Sequence, residues 1–193
     1  MSSIVILQGH PDDSRPHLCH GLADAYAEGA RDAGHDVRTI EITKLNFSLI
    51  RSEQDFSERE PPACIVDAQQ KILNAQHIVI VYPLWMGTMP ALVKAFFEQV
   101  FRYGFAFETS EKGVFNKNLA GRSARLVVTM GMPAFFYRWY FGAHGIKSLE
   151  RSILKFAGIK PVRESLIGRV ESLSEEKILT WLDKMRQLGR SAI

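Results

Sequence analysis

Residues 77–90 read His77-Ile78-Val79-Ile80-Val81-Tyr82-Pro83-Leu84-Trp85-Met86-Gly87-Thr88-Met89-Pro90. The first six are apolar almost without a break, and so short a run bounded by proline reads as a strand rather than a helix. No polar residue alternates with Val or Ile, so both faces of the strand need cover, the condition of a strand inside a parallel sheet. Pro83 ends the run, and Pro90 suits the first position of a helix because its ring presets φ. That helix is expected to run towards Tyr103 with Leu92, Val93, Phe96, Phe97, Val100 and Phe101 turned inward.

Working outward, the same grammar repeats. Ile4 to Leu7 is another unbroken apolar run, followed by the turn-rich loop Gly9-His10-Pro11-Asp12-Asp13-Ser14-Arg15-Pro16. A helix over about His17–Ala33 carries Leu18, Leu22, Ala23, Tyr26 and Ala30 at helical spacing and stops at Gly34. Val37–Ile42 alternates apolar and polar, as an edge strand does. Residues 43–62 are irregular, then a helix is expected over Ala63–Asn74. Arg125–Thr129 reads as a fourth strand, Ile146–Ala157 as a helix ended by Gly158, and Val162–Val170 contains a fifth strand. Ser172-Leu-Ser-Glu175 has capping-box spacing before a last helix to Leu188. Strands alternating with helices predict an α/β fold, an open parallel sheet with helices on both faces, within one domain spanning residues 1–193.

Composition narrows the class. The 193 residues are 46% hydrophobic and 23% charged, which excludes disordered and low-complexity chains. A net charge of +3 offers neither a nucleic-acid-coating field nor an acidic tail. Cys19 and Cys64 cannot form a disulfide scaffold, so a reducing, cytoplasmic setting is expected. No run reaches the ~18 apolar residues of a membrane span, and the amino terminus lacks a basic signal region.

In such sheets ligands sit beyond the carboxyl ends of the strands, where strand order reverses. Three loops follow those ends. In His10–Leu18, a helix N-terminus offers free N–H groups to a phosphate, with Ser14 adding a hydroxyl and His10, Arg15 and His17 adding charge or donors; the alternative is an ordinary capped loop. It is neither the Gly-x-Gly-x-x-Gly nor the Gly-Lys-Ser/Thr pattern. Cys19, near the helix start, is a candidate for a lowered pKa. Pro83–Met89 offers an apolar wall for a planar ring, or else core and dimer contacts. In Met130–His144, Gly131 allows close backbone approach, while Tyr137 and His144 can donate to a ring oxygen; a single histidine can equally be structural. The tract Phe135, Phe136, Tyr137, Trp139, Tyr140, Phe141 covers a ligand, meets a second subunit, or does both. No metal-ligand or nucleophile motif is present, and the adjacent Asp12 and Asp13 do not make one.

Together these loops resemble those of the flavodoxin-like NAD(P)H:quinone oxidoreductase family, in its bacterial short-chain branch. The resemblance spans nearly the whole chain. It is carried by Gly9-His10-Pro11, Tyr26-Ala-Glu-Gly-Ala-Arg-Asp-Ala-Gly-His35, Pro83-Leu84-Trp85…Pro90-Ala-Leu-Val-Lys94, Gly104-Phe-Ala-Phe107, Thr129-Met-Gly131 and Gly158. It implies a flavodoxin-like open five-stranded parallel sheet of order 2-1-3-4-5 and a bound flavin, FMN or FAD. His10, Ser14, Arg15, His17, Leu18 and Cys19 would hold the flavin phosphate. Pro83, Leu84, Trp85 and Met86 would line the isoalloxazine, and Thr129, Met130 and Gly131 would touch its other edge.

Tyr137 and His144 match the family's catalytic pair, with a spacing that differs by one from the eukaryotic pattern. Met86 stands where many relatives carry an aromatic, and Arg15-Pro-His17-Leu-Cys19 replaces the usual Ser-x-Asn. The implied reaction is ping-pong: NAD(P)H gives a hydride to the flavin, and a quinone-like acceptor then takes two electrons. A homodimer is implied, with neither nucleic acid nor membrane insertion. Two alternatives stand beside it, a flavodoxin-type electron carrier, typically more acidic than this chain, and an ancillary regulatory subunit of a membrane transport system.

Overall fold

The computed structural model describes residues 1–57, 59–110 and 113–193. Its first half runs β1 (Ser3–Gln8), α1 (Leu18–Asp32), β2 (Asp36–Glu41), α2 (Glu53–Ser57), α3 (Ala63–Asn74), β3 (His77–Pro83) and α4 (Ala91–Val100). The second half runs β4 (Phe107–Thr109), β5 (Phe115–Lys117), β6 (Ser123–Thr129), α5 (Ala134–Trp139), α6 (His144–Ser148), β7 (Val162–Ile167) and α7 (Glu175–Ser191), with a π-helical segment at Leu149–Leu154. The main sheet has the order β2-β1-β3-β6-β7 and every pairing is parallel. That is the expected 2-1-3-4-5 once the small antiparallel hairpin β4–β5 is set aside.

The unbroken apolar strands are explained by what covers them. Val5, Leu7, Ile78 and Ile80 pack on the face that holds α3 and α4, with Phe96 and Phe97 among the core residues. Ile4, Ile6, Val79 and Val81 pack on the other face with α1 and Met185 of α7. Each such fully buried side chain contributes about 1.5–3 kcal/mol. β2, at the sheet edge, buries only Ile40, which is why it alternates.

Helices α1 and α7 touch backbone to backbone. A Cβ on Gly29 would stand 2.1 Å from the carbonyl oxygen of Arg186, and one on Gly189 would stand 2.2 Å from that of Tyr26. Arg186 closes the contact with Glu28 at 2.7 Å. Part of the irregular stretch 43–62 is tied to α4 by side chains: the Gln99 amide donates to Ser48 O at 2.7 Å, and the Arg102 guanidinium donates to Arg59 O. Glu58 of that stretch lies outside the described residues.

The structure departs from the expected boundaries in several places. Pro90 is the residue before α4 rather than its first. The helix expected over 146–157 is instead α6 followed by the π-helical turn. The cap of α7 is Ser174, whose hydroxyl accepts from Lys177 N at 3.4 Å, so the Ser172–Glu175 box does not form. The β4–β5 hairpin was not foreseen, because three-residue strands carry too little periodicity to read. Among the described residues, no helix is long and apolar enough to cross a membrane.

Candidate functional site

Strands β1, β3 and β6 are neighbours and parallel, so their carboxyl ends open on one edge, and the order reverses between β1 and β3. A cavity of about 530 Å³ lies there, within the range of small-molecule sites. All three predicted loops line it.

The first loop supplies His10, Arg15, His17, Leu18 and Cys19. Its shape comes from Asp12. The carboxylate accepts from Ser14 N at 2.9 Å and Ser14 Oγ at 2.5 Å through one oxygen, and lies 2.8 Å from His17 Nε2 through the other. These bonds, those of Ser14 first and then that of His17, hold the Asp12 carboxyl well below the usual carboxylate range. His17 stacks on His10 with ring centroids 3.8 Å apart, and His20 stands 5.5 Å from His10. Burial, reinforced by the neighbouring imidazoles, lowers the His10 pKa against a smaller opposing effect of the Asp12 carbonyl. Ser14 therefore serves Asp12 and does not line the cavity. Cys19 is buried, with Sγ 3.1 Å from Thr129 Oγ1. Desolvation pushes its thiol up to about 12, the reverse of the lowering expected near a helix start.

The second loop supplies Pro83, Leu84 and Trp85. Leu84 N donates to Thr129 O at 2.7 Å, which fastens it to the third loop. Trp85 and Thr88 exchange backbone bonds of 2.9 and 3.0 Å across a tight turn with Met86 at φ +49° and Gly87 at φ +81°. Two successive positive φ values are the signature of a type I′ turn, for which Met at the first position is unusual. Met86 is fully exposed at the tip and stays outside the cavity.

The third loop supplies Thr129, Met130 and Gly131. Met130 N donates to Ile167 O at 2.8 Å and Val170 N to Met130 O at 3.2 Å, so the segment after β7 is drawn in, and Val170 and Glu171 complete the lining. Neither was foreseen, nor was Asp12 as a lining residue. A parallel strand order argument names the loops after β1, β3 and β6, and the fifth strand's loop enters only through these backbone bonds.

Tyr137 and His144 stand apart from the cavity lining. Tyr137 is 1% exposed; its hydroxyl donates to Gly87 O at 2.9 Å and accepts from Ile146 N at 3.4 Å. Burial raises its pKa. Tyr137 thus braces the Trp85–Thr88 turn from beneath, and the start of α6 presses on the same turn: a Cβ on Gly145 would stand 2.3 Å from Gly87 O. His144 is exposed at the start of α6.

One end of the cavity thus gathers imidazoles and a guanidinium, the other an apolar wall, and between them runs a backbone edge. A second cleft, of about 330 Å³, is lined by Phe97, Phe101, Phe107 and Phe156 together with Lys94, Glu98, Ser148 and Ser152.

Comparison with known proteins agrees with this layout. Residues 2–188 match the family described as flavodoxin-like fold. An "Uncharacterized NAD(P)H oxidoreductase" of Haemophilus influenzae is 26% identical over 179 residues, covering 89% of this chain and 86% of that one. The NAD(P)H:quinone oxidoreductase from Methanothermobacter marburgensis superposes with a TM-score of 0.82 at 21% identity, covering 98% and 96% of the two chains. An FMN-dependent NADH-azoreductase from Bacillus anthracis, solved in complex with FMN, gives a TM-score of 0.74 at 18% identity, covering 99% and 98%. At those identities the two superpositions speak to the fold alone.

Proposed function

The chain belongs to the family of flavodoxin-like fold, and from that premise we propose that it is a flavin-dependent NAD(P)H oxidoreductase acting on quinones or similar acceptors. The observation that carries the reading is the meeting of three loops in one cavity at the β1/β3 switch point, cationic and donor-rich at one end and apolar at the other. The relatives named NAD(P)H oxidoreductase and NAD(P)H:quinone oxidoreductase support the same class.

The residues present fit a flavin. His10, His17 and Arg15 offer donors to a phosphate, and Asp12 keeps His17 in place for it. Leu84 and Trp85 suit the face of a planar ring, and the backbone of Thr129–Gly131 suits its heteroatom edge. The flavin, once bound, supplies two-electron chemistry in a ping-pong exchange between NAD(P)H and the acceptor, while the protein supplies position and electrostatics. Buried Cys19, held as a neutral thiol, adds neither charge nor a nucleophile to the phosphate end. Tyr137 acts on the ring wall through Gly87, as a positioning residue. The exposed aromatics Phe135, Trp139 and Tyr140 beside that wall support a homodimer.

Purification followed by a visible spectrum and mass measurement of the released chromophore tests the reading and separates FMN from FAD. A flavin spectrum bleached by NADH or NADPH and restored by a quinone is expected. A colourless protein that takes up no added flavin would overturn it, and bound flavin without NAD(P)H oxidation would favour an electron carrier.

A further inference from the structure

A smaller cavity of about 220 Å³ lies over β1 and β2, beside the main one. Strand alternation dictates its floor. Ile4, Ile6 and Val37 pack beneath α1, so Gln8, Thr39 and Glu41 face the same helix. Parallel pairing sets Gln8 opposite Glu41 and Ile6 opposite Thr39. Helix α1 supplies the wall with His20, Ala23 and Asp24, spaced to share one helix face. An adjoining cavity of about 410 Å³ shares His20, Asp24 and Glu41 and adds Asp13, Ser14, Arg15, Pro16 and Lys44.

Part of the hydrogen-bonding capacity of this cleft is unspent. Gln8 is 4% exposed, and its amide orientation is set because Oε1 accepts from His10 N at 2.9 Å. Its Nε2 is then left buried without a partner, which buried donors rarely are. His20 Nδ1 accepts from His17 N at 3.0 Å, so the ring proton of the neutral side chain lies on Nε2. Among the described residues, the side chains of Asp24 and Thr39 make no hydrogen bond or ion pair, and Glu41 pairs with Lys44 at 2.6 Å.

A free donor on the floor with carboxylates on both floor and wall calls for groups that both accept and donate. Hydroxyls do this. An ammonium group would satisfy the carboxylates but leave the Gln8 N–H facing a positive charge, and a bare anion would meet Asp24 and Glu41. Two carboxylates and a Thr hydroxyl around one donor suit two adjacent hydroxyls, while Arg15 and Lys44 next door suit a phosphate. We infer that the cleft over β1 and β2 is a binding site for a ribosyl phosphate, its vicinal hydroxyls among Gln8, Thr39, Glu41 and Asp24 and its phosphate towards Arg15 and Lys44. Doubly wound sheets that bind dinucleotides place a ribose-binding carboxylate in a comparable position, and here Glu41 closes the second strand. Gln8, Thr39, Glu41 and Asp24 do not line the main cavity, and Arg15 alone is shared with the residues of the flavin reading.

Isothermal titration calorimetry with AMP, on the protein as purified and after saturation with FMN, tests it. AMP should bind in both states, and 2′,3′-dideoxy-AMP should bind at least about tenfold more weakly. Thr39→Val and Asp24→Asn should each weaken AMP about five- to tenfold, leaving the dideoxy analogue's affinity and the flavin spectrum unchanged. Equal affinity for the two nucleotides, absence of AMP binding, or displacement of AMP by FMN would overturn the assignment. Spermidine binding that Asp24→Asn abolishes, without AMP binding, would replace it with a cation site. Should FMN itself fail to bind, the flavin reading falls while the titration of the protein as purified still decides this one.

Discussion

At one end of the main cavity Asp12 gathers Ser14 and His17 through side chains, with His17 stacked on buried His10. At the other end the Trp85–Thr88 turn closes through its own backbone and rests on the Tyr137 hydroxyl and the start of α6. The first end is built from titratable groups and is therefore open to pH. The second is built from amides and a phenol that stays neutral through the physiological range, so it answers to shape instead. Two halves of one site thus respond to different perturbations.

The largest effect is expected from shape. Gly145→Ala places a methyl 2.3 Å from Gly87 O and 2.6 Å from Thr88 Cα, where only backbone movement can make room. A loss of about 2–3 kcal/mol is expected from urea unfolding, as for overpacked cores. Unchanged stability would show that the turn is not rigidly seated, and the contrast between the two ends would fail.

Next comes pH. Burial first, then neighbouring imidazoles, lowers the His10 pKa below its ordinary 6.5. The unfolded chain therefore binds more protons, so this group's contribution is complete above about pH 6.5 and is lost as pH falls through its folded value. His77, lowered to about 4 by burial, acts in the same direction from the opposite edge of the sheet. Asp12, also lowered, keeps its contribution down to the ordinary carboxylate range and loses it below. The melting temperature should fall between pH 7 and pH 5, and His10→Gln should flatten that fall. An unaltered slope in His10→Gln would remove the histidine stack from the account.

Tyr137→Phe sharpens the same comparison. It should cost about 1 kcal/mol, the usual worth of one hydrogen bond, equally at pH 6 and pH 8. It should also slow flavin reduction by NAD(P)H in stopped flow without releasing the flavin. A cost that varies between those pH values would mean that the second end also titrates. The smallest effect is Met86→Asn, which places Asn-Gly in a turn that favours it and should stabilise by about 0.5 kcal/mol. Destabilisation on urea unfolding would show that the exposed Met86 side chain is engaged by something other than the turn.

The difference between the two ends also explains what could be read from sequence. The strands were legible because β1, β3 and β6 are covered on both faces and so lack polar alternation. The three loops followed from the strand order. Side-chain roles inside them were harder to see. Ser14 looked like a ligand donor, but a hydroxyl one turn from a carboxylate can bond to it instead, and it does so with Asp12. Tyr137 belongs to an aromatic tract whose other members are exposed or half-buried, and nothing local marks it as the buried one. Val170 and Glu171 reach the cavity through backbone bonds that carry no residue signature. The π-helical turn after α6 escaped because its apolar spacing also suits an α-helix.

The glycine contact between α1 and α7 ties the order of synthesis to the order of assembly. Helix α1, whose amino-terminal side carries Asp12, His17 and Cys19, packs against a helix that leaves the ribosome after every strand. There Gly29 and Gly189 let the two backbones approach each other. The packing of α1 is therefore completed only once residues more than a hundred and fifty positions downstream have been made, as the Glu28–Arg186 pair shows.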